Sequence, residues 1–106
     1  MSTDIEIAVL SASFLAQPGH EADLAAALAK YVVLTRHLPN CRNVDLVVST
    51  TESGRFLVLE KWESDADARS HVDSAVMLDM ANEVVGFLAE PPNVDLWDTI
   101  SAHDLR

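Results

Sequence analysis

The sequence predicts an α+β fold of the ferredoxin-like kind, strand-helix-strand-strand-helix-strand (βαββαβ), built on an antiparallel sheet. Three observations point there. Chain breakers fall at Pro18-Gly19, Pro39-Asn40, Glu52-Ser53-Gly54 and Pro91-Pro92, and they cut the chain into six elements. Four of those segments read as strands, while the other two carry apolar residues at helical spacing. The connection at Glu52-Ser53-Gly54 is short enough that the strands it joins must pair as an antiparallel hairpin. At 106 residues the chain fits one domain over 1–106, with a core over about 5–100 and a short C-terminal tail.

Each element has its own warrant. Residues 5–15 place Ile5, Ile7 and Val9 on one parity and Ala8, Leu10, Ala12 and Phe14 on the other, as in a strand covered on both faces. After Pro18-Gly19, Leu24, Leu28, Tyr31, Val32 and Thr35 mark an amphipathic helix, with Glu21 and Asp23 in its first turn and Arg36 and His37 in its last, as its dipole favours. Asn40 readily takes the left-handed backbone that ends it. Residues 42–49 alternate as a second strand. In a third, 55–63, Phe56, Val58, Glu60 and Trp62 share one face and Leu57, Leu59 and Lys61 the other. Ser64 is an N-cap with Asp65 and Asp67 behind it, opening a second helix over about 65–89. Met77, Met80, Ala81, Val84 and Leu88 form its apolar stripe, with Gly86 loosening its end; Val94, Leu96 and Trp97 to Ile100 make the last strand.

Two helices cover one face of a four-stranded sheet, yet the first strand and parts of the next two are apolar on both. A second copy of the chain is the economical cover, which predicts a homodimer whose sheets meet face to face in a shared barrel.

With 7 Lys and Arg against 17 Asp and Glu, the net charge is −10, and such a surface repels phosphate backbones and anionic lipid. Nucleic acid and membrane surfaces are excluded as partners on this reading. There is no leader pattern and no apolar run of membrane-spanning length, so a soluble cytoplasmic protein is expected. Cys41 is the single cysteine, which rules out an internal disulfide. The four histidines are too dispersed to read as a metal site.

Three stretches carry a family resemblance: Ala12-Ser13-Phe14-Leu15-Ala16-Gln17-Pro18-Gly19-His20-Glu21, Thr35-Arg36-His37-Leu38-Pro39-Asn40-Cys41, and Phe56-Leu57-Val58-Leu59-Glu60-Lys61-Trp62-Glu63-Ser64. With Ala66, Ala68, His71 and Ser74 following at the right spacing, the chain resembles the antibiotic biosynthesis monooxygenase family over about residues 5–98. That resemblance implies a dimeric α+β barrel with a pocket between sheet and helices in each subunit. It also implies cofactor-independent oxidation of quinols or anthrone-like polyketides by dioxygen, although the family includes haem-degrading enzymes and a small-molecule isomerase. Ala12 stands where the haem-degrading relatives carry Asn, which weakens a haem reading. Val58 stands where some polyketide-oxidising members carry Asn.

Cofactor-free oxygenation needs a base, donors for an enolate oxygen and a dry cavity. His71, which titrates near neutrality, is the candidate base; the alternative is a half-buried helical histidine bonded to a neighbour. Glu60 is a second catalytic candidate, because burial on an enclosed face would raise its pKa; the alternative is an ion pair with Arg42 or Arg55. Trp62, Phe56, Val58 and Met77 are the candidate substrate-binding wall, or else core and interface residues. A small aromatic substrate with dioxygen as co-substrate and no cofactor is the first functional reading. A binding or structural barrel without chemistry and a small-carbonyl isomerase using His71 and Glu60 are the rivals.

Overall fold

A computed structural model of the chain describes residues 7–101. Ile5, expected in the first strand, and His103, expected in the tail, lie outside the described residues. The elements are β1 (Ala8–Leu15), α1 (Glu21–Arg36), β2 (Cys41–Val48), β3 (Arg55–Trp62), α2 (Asp65–Val72), α3 (Ala75–Val84), a 3₁₀ turn (Val85–Phe87) and β4 (Asn93–Asp98). The strands form one antiparallel sheet in the order β2-β3-β1-β4, the ferredoxin-like arrangement.

Register decides which side chains meet the helices. Leu10, Ala12 and Phe14 of β1 lie opposite Glu60, Val58 and Phe56 of β3, and Val44 and Leu46 of β2 lie opposite Glu60 and Val58. Because side chains alternate along a strand, this set shares one face, and α1 packs Leu24, Leu28, Tyr31 and Val32 onto the same core. Glu60 therefore enters the core by strand parity. The turn between β2 and β3 needs Gly54, whose φ of 80° is strained for any side chain and whose carbonyl accepts from Ala16 N at 2.9 Å. Asn40 takes the left-handed backbone as expected, with φ 68°.

The second helix departs from expectation, because the single helix over 65–89 is two helices and a 3₁₀ turn. The break falls at Asp73-Ser74. Ser74 adopts an extended backbone and its Oγ accepts from Met77 N at 3.2 Å, capping α3 just as Ser64 Oγ accepts from Asp67 N at 3.0 Å and caps α2. A serine hydroxyl satisfies backbone donors better at a helix start than inside a helix. The apolar spacing continues across the break, which is why periodicity alone reads one helix.

The face of the sheet turned away from the helices is mixed: Val9 and Leu15 of β1, Leu57 and Leu59 of β3, Val47 of β2 and Trp97 of β4 share it with Ser11, Ser13, Asn43, Asp45, Arg55, Lys61, Asn93 and Asp95. Leu59 is 39%, Val47 46% and Trp97 54% exposed. Polar groups here are tied down: Trp97 Nε1 donates to Ser11 Oγ at 2.8 Å, and Arg55 Nη1 donates to Ser13 Oγ at 3.1 Å. Among the described residues no helix is long and apolar enough to cross a membrane.

Candidate active site

Between α2, the loop after α1 and the C-terminal end of β3, a cleft of about 270 Å³ opens, lined by Leu38, Pro39, Asn40, Trp62, Asp67, Ser70, His71 and Ser74. Its rim is held by Asn40, whose Nδ2 donates to Asp67 Oδ1 at 3.1 Å, and by Ser64 Oγ, which donates to Asp67 Oδ2 at 2.8 Å. Its floor is Trp62 with His71, their rings 4.5 Å apart between centroids and tilted by 32°.

Behind the floor lies a buried polar cluster. Tyr31 of α1 donates its hydroxyl to Glu60 Oε2, and Trp62 Nε1 donates to Glu60 Oε1 at 2.9 Å. Tyr31 Oη also lies 2.7 Å from His71 Nε2, and His71 Nδ1 lies 3.3 Å from Ser74 Oγ. Glu60 Oε1 and His71 Nε2 are 3.5 Å apart. Tyr31, Glu60, Trp62 and His71 are all buried. A carboxylate in such a place must collect donors to offset its lost hydration, and Tyr31 and Trp62 supply them.

Burial governs the titration of this cluster. It pushes His71 down to about 4, so the imidazole is neutral near pH 7. It pushes Glu60 above the ordinary carboxylate range, against the opposing pull of the Tyr31 and Trp62 hydrogen bonds. Tyr31 is held far above the usual phenol range by burial and then by the charge of Glu60. Cys41 is pushed up to about 11, mainly by burial and then by Glu60, so this thiol is a packing group and a poor nucleophile.

Of the site residues expected from sequence, His71, Glu60 and Trp62 come together. Phe56, Val58 and Met77 do not join them: all three are buried in the core, outside the cleft lining. Glu60 takes Tyr31, Trp62 and His71 as neighbours, while Arg55 pairs with Glu52 at 3.0 Å and Glu90 at 3.1 Å. In the sequence Tyr31 is one position of the apolar stripe of a helix, with nothing to mark it as part of the site. The signal that could have found it is that a buried phenol must bond its hydroxyl, and a buried glutamate on the facing strand lacked a donor.

A family model for antibiotic biosynthesis monooxygenase matches residues 7–83. The chain belongs to that family. No curated protein matches it. Solved structures repeat the fold of this family member. A Bordetella bronchiseptica protein described as a candidate antibiotic biosynthesis monooxygenase is 28% identical, with TM-score 0.77 over 90% of this chain and 98% of that one. A Shewanella oneidensis protein is 28% identical, with TM-score 0.80 over 91% and 93%. A Nitrosomonas europaea protein, also described as a candidate monooxygenase of this kind, is 17% identical with TM-score 0.83 over 95% and 97%, a likeness of fold alone.

Proposed function

We propose that this family member is a cofactor-independent monooxygenase that oxidises a small phenolic, quinol-like or anthrone-like ring with dioxygen, acting as a homodimer. The observation that carries the reading is a neutral, buried histidine at the floor of a cleft, packed at a tilt beside a tryptophan and backed by a carboxylate.

In this reading a planar ring lies against Trp62 and gives its acidic proton to His71. The conjugate base passes one electron to dioxygen, the two radicals combine to a peroxide, and the peroxide loses water to leave a quinone. One oxygen atom stays in the product and the other departs as water. Burial leaves His71 in its neutral, proton-accepting form near pH 7 but makes it a weak final holder of that proton. The cleft is slightly smaller than the roughly 300 Å³ at which drug-sized pockets begin, which suits a compact planar ring system. Asp67 is its charged lining residue and no Lys or Arg lines it, so a neutral substrate with donor groups fits better than an anion. What supports the homodimer is that Val47, Leu59 and Trp97 are exposed on the sheet face opposite the helices.

Oxygen uptake with a panel of quinols and anthrones tests the reading. His71→Ala is expected to lower the rate by on the order of a hundredfold, the usual weight of a positioned base. Trp62→Ala should weaken substrate binding. No uptake above the spontaneous rate for any compound would establish a binding barrel instead, and an unchanged rate in His71→Ala would remove that residue from the chemistry.

A further inference from the structure

Tyr31, Glu60, His71 and Ser74 come from three separate parts of the chain, yet they form one continuous string of hydrogen bonds running from the cleft to the core. His71 Nε2 faces inward to Tyr31, which leaves the Nδ1 edge, beside Ser74, on the cleft side. The string can be satisfied in two polarities. In one, Ser74 donates to Nδ1, Nε2–H donates to Tyr31, and Tyr31 donates to an ionised Glu60. In the other, protonated Glu60 donates to Tyr31, Tyr31 donates to Nε2, and Nδ1–H donates to Ser74. The two states differ by one proton. Neither contains an imidazolium ion or a tyrosinate, which are the costly species at this depth.

We propose that these four residues are a proton relay, in which a proton taken from substrate at His71 Nδ1 is stored on Glu60 by way of Tyr31. The substrate O–H bond breaks as the Nδ1–H bond forms, the Nε2–H proton passes to Tyr31 Oη, and the Tyr31 proton passes to Glu60 Oε2. His71 ends neutral with its tautomer switched. The Ser74 hydroxyl, released from Nδ1, turns its hydrogen toward the new substrate oxyanion. The 3.3 Å contact between Ser74 and Nδ1 is long, so a ligand hydroxyl displaces it at little cost. Tyr31 acts through His71 and never meets the substrate, which makes it a positioning residue. Burial supports the assignment: it weakens His71 as a final proton holder and strengthens Glu60.

The direct approach of His71 Nε2 to Glu60 Oε1, at 3.5 Å, is longer than the 2.7 Å step to Tyr31, and the other groups that face the cluster do not compete for its protons. Cys41 on β2 stays a neutral thiol at ordinary pH, Trp62 on β3 donates to the other oxygen of Glu60, and Arg36 on α1 turns to the Val44 carbonyl at 3.1 Å. The identity of the proton donor rests on the monooxygenase reading; the relay itself belongs to the free protein.

Nitrogen-15 spectra of the histidine rings and carbon-13 spectra of the glutamate carboxyls, recorded on the full chain without substrate from about pH 8 down to about pH 4.5, test it. The expected result is that His71 stays neutral and changes from the Nε2–H to the Nδ1–H tautomer at the same pH at which Glu60 protonates. In Tyr31→Phe the two events should separate, and oxygen uptake should show kcat reduced on the order of tenfold or more with KM unchanged. An imidazolium signal from His71 while Glu60 remains ionised would overturn the relay, as would protonation of Glu60 with an unchanged tautomer. If Tyr31→Phe fails to fold, the coincidence in the native chain still decides. Absence of oxygen uptake with every compound would sink the monooxygenase reading and leave the titration result intact.

Discussion

At Glu60 the competing physical demands are most visible, because a carboxylate that strand parity sends into the core must be either neutralised or surrounded by donors. Its effect on stability has the opposite sign to that of His71. His71 is lowered from 6.5 to about 4, so its stabilising contribution is complete above 6.5 and is lost as pH falls toward 4. Glu60 is raised above 4.5, so its contribution is complete below that value and is lost as pH rises through its folded value. Between 6.5 and 4.5 the two trends oppose each other. Glu60→Gln keeps the volume and removes one trend, so its melting temperature should fall more steeply with acid than that of the native chain across this window. Parallel curves for the two proteins would refute the balance. The pairing of these residues was half legible in the sequence: the parity of Phe56, Val58, Glu60 and Trp62 put the carboxylate on a covered face. Which donors met it was not legible, since Tyr31, at helical spacing with Leu28 and Val32, reads as one more apolar position until the helix is laid on the sheet.

At the level of elements, strands were the easier reading because a two-residue period and a short turn leave little freedom, and β2 and β3 fall within a residue of where their patterns place them. The second helix was the harder one. Propensity and periodicity carry on through Asp73 and Ser74, while the actual stop is made by a side-chain hydrogen bond that only three-dimensional geometry selects. Ser64→Ala and Ser74→Ala each remove one helix cap and should each lower unfolding free energy by about 1 kcal/mol in urea denaturation. They should differ in a second respect, because Ser74 also touches His71 Nδ1: Ser74→Ala should change the His71 tautomer balance and Ser64→Ala should not. Equal histidine spectra in the two variants would separate the cap from the cluster. The break also has a placing role, since it leaves His71 on the last turn of α2 with Ser74 folded back beside it.

For the whole molecule, the arrangement of four strands under one helical layer followed from the punctuation of the chain, and so did the prediction that one sheet face would lack a cover. Val47, Leu59 and Trp97 are large apolar groups left partly exposed on that face, which no element of the described chain covers. Sedimentation at micromolar concentration should therefore give a particle of twice 11.6 kDa, and Leu59→Asp, which puts a charge at the centre of the face, should give the single chain. A native protein that sediments at 11.6 kDa would rule the shared barrel out. Of the acidic residues, Glu21, Asp23, Asp65, Asp67, Asp79 and Glu83 lie on the helices, while Asp45 and Asp95 stand on the open sheet face opposite Leu59 and Ser11.

The register of the outer strand has a kinetic meaning as well. Ala8 pairs with Asp98 and Val9 with Trp97, so the ends of the described chain are neighbours, whereas the hairpin of β2 and β3 closes over a handful of residues. Loop closure over so long a stretch comes late in folding, after local contacts have formed. Tyr31, Glu60 and His71 all precede β4, so nothing in their hydrogen bonding requires that strand. The order of assembly this implies is a polar cluster gathered first and a sheet edge zipped onto it last, with the exposed Trp97 arriving only when the edge is complete.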